Sequence, residues 1–194
     1  MTSRRAFLLG FGTALLATPA FARTRFRQLF NGRNLDGWIP LGDANWSVEN
    51  GVIRADRGGF SFLVSRESYR DFELRVEFRV SVDANSGIFI RCSDPARITA
   101  SNAYEVNIYD TRPDPTYGTG AIVDVASVSP MPRAGDRWNV MTIRAAADVL
   151  SVAMNGVTTV DAVRNTAHRE GPVALQYGAG QVMFRRVDIR SLQG

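Results

Sequence analysis

Asn85-Ser86-Gly87-Ile88-Phe89-Ile90-Arg91 and Tyr104-Glu105-Val106-Asn107-Ile108-Tyr109-Asp110 hold the residue types best suited to chemistry in this sequence. Both segments alternate polar or aromatic residues with aliphatic ones, which is the period of a strand with two unlike faces. The alternation puts Gly87, Phe89 and Arg91 on one face of the first segment, opposite Ile88 and Ile90. In the second, Glu105, Asn107 and Tyr109 share the face opposite Val106 and Ile108. If the two strands are neighbours, an arginine, a carboxylate, an amide and two aromatic rings line one sheet surface. Such a surface has the inventory of a sugar-binding cleft and is also a candidate catalytic one. A purely structural cross-strand ion pair between Arg91 and Glu105 is the competing expectation.

The elements that must position these residues are almost all strands. Trp46–Glu49 and Val52–Ala55 flank Asn50-Gly51, and Leu150–Met154 and Val157–Val160 flank Asn155-Gly156. Asn-Gly takes the positive φ angles of a type I′ turn, so both pairs are expected hairpins. Further strands are expected at 61–64, 72–82, 87–92, 103–109, 138–145, 171–177 and 182–191. Residues 72–80 alternate without a break, apolar at even numbers and charged at odd ones, as a strand between a core and water requires. With turns rich in Gly, Pro, Asn and Asp and no convincing helical stripe, the chain is expected to be all-β, an antiparallel β-sandwich or jelly roll. The polar loop 111–120 is placed to overhang a sheet face.

The first residues read as an export signal. Arg4-Arg5 gives a twin-arginine start, an apolar stretch runs to Leu16, and Ala20-Phe21-Ala22 supplies a cleavage site. The expected organisation is therefore a signal at 1–22 and one sandwich domain over 23–194, in the periplasm or secreted. The apolar stretch is too short and too rich in Gly, Ala and Thr for a membrane span. Of the 23 basic residues two lie in this segment, which holds no acid, so the net charge falls from +4 to +2 on its removal. All basic residues are arginines, without a run or a basic-aromatic stripe, and nucleic acid is excluded as a partner. One cysteine, Cys92, rules out an internal disulfide and fits a small buried residue with the parity of the aliphatic face. One histidine, His168, argues against a zinc site or a serine triad. The available Asp, Asn and Glu oxygens suit a divalent cation such as Ca²⁺, which stays an open alternative, but no diagnostic calcium loop accompanies them and no cofactor is expected.

Nine local motifs then fall into order: Leu29-Phe30-Asn31-Gly32 through Asp36-Gly37-Trp38; Trp46-x-Val48-x-Asn50-Gly51; Tyr69-x-Asp71-Phe72-Glu73-Leu74; Asn85-Ser86-Gly87-Ile88 with Arg91; Tyr104-Glu105 with Asp110; Trp138-Asn139; Asn155-Gly156; Gly171-x-Val173-x-Leu175-Gln176; and Phe184-Arg185. The series, covering 27–191, resembles the 3-keto-disaccharide hydrolase family. The resemblance implies a concanavalin A-like sandwich with one concave sheet, and for some members cleavage of glycosides whose C3 hydroxyl is oxidised to a ketone. It implies Glu105 as a base acting at C2 and Arg91 as the group fixing the enolate or substrate oxygens. Asn107 and Gln176 would read hydroxyls, Phe89, Tyr109 or Tyr177 would stack on a pyranose, and Asn85 would border the site. Asn85-Ser86-Gly87 also reads as a simple turn into a strand, with Gly87 permitting a bend. Asp110, of opposite parity to Glu105, is read as ending the strand, capping the following loop or binding a cation, with a structural use favoured, and Trp38, Trp46 and Trp138 are expected to pack in the core. Tyr177 stands where the family often has histidine. A non-catalytic carbohydrate-binding module is the alternative on the same fold.

Overall fold

The computed structural model describes residues 25–192. The expected export segment lies outside the described residues. Thirteen strands follow one another in this region: β1 (Arg27–Gln28), β2 (Trp38–Leu41), β3 (Ser47–Glu49), β4 (Val52–Ala55), β5 (Ser61–Tyr69), β6 (Phe72–Val80), β7 (Asn85–Ile90), β8 (Tyr104–Ile108), β9 (Trp138–Ala146), β10 (Val149–Met154), β11 (Val157–Arg164), β12 (Gly171–Ala179) and β13 (Val182–Ser191). They form two antiparallel sheets. The larger runs β11-β10-β9-β6-β13-β4-β3, with β1 also on β13; the smaller runs β2-β5-β12-β7-β8.

Both expected hairpins form. Asn50 and Gly51 have φ of 52° and 77°, and Asn155 and Gly156 of 52° and 82°, so each pair supplies the left-handed turn that its flanking strands require. The unbroken alternation of β6 buries Phe72, Leu74, Val76, Phe78 and Val80 against the smaller sheet. Its charged face is stitched to β13 by ion pairs between Glu73 and Arg190 at 2.5 Å and Glu77 and Arg185 at 2.7 Å. From the other side of the core come Leu63, Ile88, Ile90, Tyr104, Val106, Ile108, Val173 and Leu175. Trp38 is buried and Trp46 packs against the core, as expected. Trp138 differs, since it lies on the outer face of β9 beneath the Arg185 guanidinium, 4.3 Å from the ring centre.

The outer face of the smaller sheet carries a second, smaller cluster: Phe62, Val64, Phe89, Cys92, Ile98, Ala103 and Ala174. The connection from β7 to β8 supplies Ile98 and Ala103 and covers one end of this face. Residues 109–126 fold back along β8, pairing Asn107 with Gly120 and Ala121 and Glu105 with Val123 through backbone hydrogen bonds. The loop expected to overhang the sheet therefore stands beside its β8 edge.

Candidate active site

Strand β7 pairs with β8 in antiparallel register, with Phe89 opposite Glu105 and Gly87 opposite Asn107. On its other side β7 pairs with β12, placing Ala174 beside Phe89 and Gln176 beside Gly87. Strands β5 and β2 extend the same register through Val64 and Phe62 to Ile39 and Leu41. Two transverse rows thus cross the outer face: Ile39, Val64, Ala174, Phe89, Glu105, and Leu41, Phe62, Gln176, Gly87, Asn107. The polar groups gather on the β12, β7 and β8 half, where Gln176, Asn107 and Glu105 surround Gly87.

Gly87 is the floor of this arrangement. A Cβ atom built there would lie 3.2 Å from Gln176 Oε1 and 3.4 Å from both Glu105 Oε1 and Phe89 Cε2. The missing side chain lets two oxygens and an aromatic edge close in over the backbone, to distances at which a side chain would be crowded. Its role is therefore to allow this close approach, rather than to bend the strand as the sequence suggested. Asn107 is fully buried and its Nδ2 donates to the Tyr117 carbonyl at 2.6 Å, which fixes the amide orientation. Its Oδ1, like Oε1 of the nearly buried Gln176, has no hydrogen-bond partner. A buried acceptor without a donor costs about 1–3 kcal/mol, a penalty that a hydroxyl-bearing ligand would relieve.

Glu105 is half-buried, and loss of hydration pushes its carboxyl up to about 7 from an ordinary 4.5. The positive field of Arg112 opposes that rise and the negative field of Asp124 adds to it. A carboxyl poised near neutrality can both take and return a proton at physiological pH. Arg112, from the loop beside β8, is the cation that acts on Glu105, and the sequence reading passed over it because no strand parity links the two.

Arg91 does not join this face. It follows the last residue of β7 with φ of 53°, and this left-handed step turns its side chain away from Glu105. Its fully buried guanidinium donates to the carbonyls of Arg70, Ala147 and His168, and meets Asp71 Oδ1 at 3.3 Å. Burial pushes its pKa down, with Asp71 partly restoring it. The expected Arg91–Glu105 partnership, catalytic or structural, is thus absent. The same step reverses the parity of Cys92, which is buried beside Phe89 instead of facing the main core; burial pushes its thiol up to about 12.

Tyr177 also departs from expectation. It lies one residue from Gln176 and so faces inward, packed in the main core with its ring edge-on to Trp46 at 6.4 Å. Phe89 has the expected face, but it is 2% exposed and meets Phe62 edge to face at 5.1 Å, making it a wall and not a stacking platform. Tyr109 lies half-buried just past the end of β8, its backbone N–H held by Thr119 Oγ1 at 2.9 Å. Asn85 opens β7 at the far end of the face from Glu105. Asp110 does cap the following segment: it accepts from Thr119 Oγ1 and from the backbone N–H groups of Ala134 and Gly135. Phe60, which the sequence did not single out, is 63% exposed, and its ring edge lies 3.0 Å from a Cβ built at Gly178, next to Asn85.

A separate cavity of about 310 Å³ opens at the end of the sandwich, lined by Arg70, Asp71, Asp148, Asn165, His168 and Arg169. It sits over the turns that Arg91 ties together. Burial pushes the His168 pKa down. Among the described residues no group of three or more His, Cys, Asp or Glu side chains is arranged to hold a metal ion, and no helix is long and apolar enough to cross a membrane.

A family model for the 3-keto-α-glucoside-1,2-lyase-like domain matches residues 25–190. The chain belongs to that family. A 3-keto-disaccharide hydrolase of Bacteroides thetaiotaomicron is 32% identical over 73 residues, 31% of this chain, which spans about a quarter (25%) of that relative's length. A candidate glycosyl hydrolase from Parabacteroides distasonis has the same fold, with TM-score 0.71 at 22% identity over 87% of this chain and 100% of the other. So does a carbohydrate-binding module from Bacillus subtilis, with TM-score 0.62 at 16% identity over 80% and 96%. At such identities the likeness of the solved structures is one of fold.

Proposed function

We propose that this protein cleaves 3-keto-glycosides by elimination and hydration, with Glu105 as the base. The observation that carries the reading is the Glu105 carboxyl, near neutral pKa, converging over Gly87 with the unpaired Gln176 oxygen, in the strand register that also brings the unpaired Asn107 oxygen beside Gly87. A sugar held there by hydroxyl donation to Asn107 Oδ1 and Gln176 Oε1 presents its ring to the carboxylate. The C3 ketone acidifies the C2–H bond. Glu105 takes that proton, the electron pair forms an enolate, and the enolate expels the C1 oxygen substituent, which leaves with a proton. Water then adds its oxygen to C1 and a proton returns to C2, so that the net reaction is hydrolysis. Electrostatic support for the enolate falls to Arg112, whose field already acts on Glu105.

Membership of the family and the partial match to a 3-keto-disaccharide hydrolase support this substrate class. Sugar binding without turnover is the second reading; it draws on Arg91's turning away from Glu105 and on the fold shared with a carbohydrate-binding module. Incubation with a panel of 3-keto-disaccharides and 3-keto-glucosides, with the released products separated by chromatography, decides between them. The wild type is expected to release the leaving group, and Glu105→Gln to slow release by about a hundredfold or more. Binding without release would establish the second reading. Full activity in Glu105→Gln would assign the base elsewhere.

A further inference from the structure

Half of the site face is polar and half is not. In the two transverse rows, β8 and β12 contribute Glu105, Asn107 and Gln176 on either side of Gly87 and Phe89 of β7, whereas β5 and β2 contribute Phe62, Val64, Leu41 and Ile39. In the middle of the apolar half Phe62 and Val64 are buried, but its rim is open to water. Ile39 is 46% exposed, and Phe60, at the seam between the halves, is 63% exposed. These are two of the large hydrophobic side chains that the described residues leave open to water, and both lie on the face that carries Glu105. Single exposed apolar residues are ordinary; an apolar flank continuous with a site that has unpaired buried acceptors has a different meaning.

The surroundings of Gly87 are walled on two sides. On the β8 side the segment containing Tyr117 stands against Asn107. At the Phe89 end, Ile98 and Ala103 cover the sheet. The way out runs across β12 toward β5 and β2, past Phe60. Its ring packs beside Gly178, two residues along β12 from Gln176, a separation of about 7 Å along a strand and so within reach of the group next to a bound sugar. Within the two rows the β5 and β2 side chains offer no hydrogen-bonding group. A second sugar would leave its hydroxyls unpaired over them, whereas a flat apolar group would bury its face.

We infer that Phe60, with Leu41 in the next row and Ile39 further along β2, forms the docking surface for the leaving group, and that this surface favours glycosides of aryl or similarly planar apolar aglycones over those of a second sugar. The inference rests on the proposed placement of the sugar over Gly87. Phe60 is a specificity-determining residue on this view, and touches the leaving group instead of the reacting carbon.

Competing substrates test it. The 3-keto derivative of phenyl glucoside should be cleaved with a higher kcat/KM than a 3-keto-disaccharide. Phe60→Ala should cut that preference by about tenfold, the scale of one aromatic contact, chiefly through KM. Ile39→Ser should reduce it in the same direction, and Val157→Ser, at an exposed position on β11, should leave it unchanged. A Phe60→Ala variant that lowers both substrates equally, or neither, overturns the inference, as does a wild type that prefers the disaccharide. If the wild type cleaves nothing, the proposed reaction falls, and calorimetry with phenyl glucoside then judges the surface alone. Binding weakened by Phe60→Ala keeps the inference; binding unaffected by it, or absent, ends it.

Discussion

At the scale of single residues, Glu105 binds its proton more tightly in the folded chain than in the unfolded one, because burial disfavours its charge. Two consequences follow from the same shift. As a base it must be ionised, so kcat/KM for a 3-keto-glycoside should rise with pH and level off above about 7. For stability the sign is the opposite. The folded state holds the extra proton between about 4.5 and about 7, so the contribution is fully present below the lower value and lost as pH rises through the upper one. The full span corresponds to about 3 kcal/mol. Glu105→Gln removes the charge, and urea unfolding should show it more stable than wild type at pH 8 and matched to it near pH 4. Equal pH dependence in the two proteins would mean that the carboxyl is well hydrated. Neither consequence is visible in the sequence, where Glu105 differs from Glu73 or Glu77, each paired to an arginine, only by its neighbours.

At the scale of elements, strand parity legibly placed Glu105, Asn107 and Gly87 on one face, because a regular strand has no other way to turn its side chains. Parity failed where regularity ended. Arg91 stands after β7 in a left-handed conformation, and that single backbone step sends its guanidinium away from the face and brings Cys92 onto it. The β8 edge shows how a loop can be held as firmly as a strand. Asp110 gathers Thr119 and the N–H groups of Ala134 and Gly135, while the Tyr117 carbonyl takes the Asn107 amide. Asp110→Ala should lose about 2–3 kcal/mol in urea unfolding, the range of a hydrogen-bonded buried charge. It should also raise KM through the loosened loop. A variant with wild-type stability would show that the loop is held by its backbone pairing with β8 alone.

At the scale of the whole molecule, Arg91 ties the sandwich together at one end. Its guanidinium reaches carbonyls from the β5–β6 turn, the β9–β10 turn and the segment before β12, so one side chain fastens connections from both sheets. Arg91→Lys should destabilise by about 3 kcal/mol or more, since an ammonium cannot reproduce the fork and leaves buried carbonyls unpaired. A thermal melt measures the loss, and KM for a 3-keto-glycoside in the folded fraction should stay near wild type. A raised KM with unchanged melting would restore Arg91 to the site. The sequence by itself determined the all-β sandwich, its two Asn-Gly hairpins and the family, because alternation and turn chemistry are local and the motif order is linear. Only the tertiary structure decided which polar residues meet. That outcome depends on register across five strands, on one left-handed residue after β7, and on the close approach of neighbours that Gly87 permits by having no side chain.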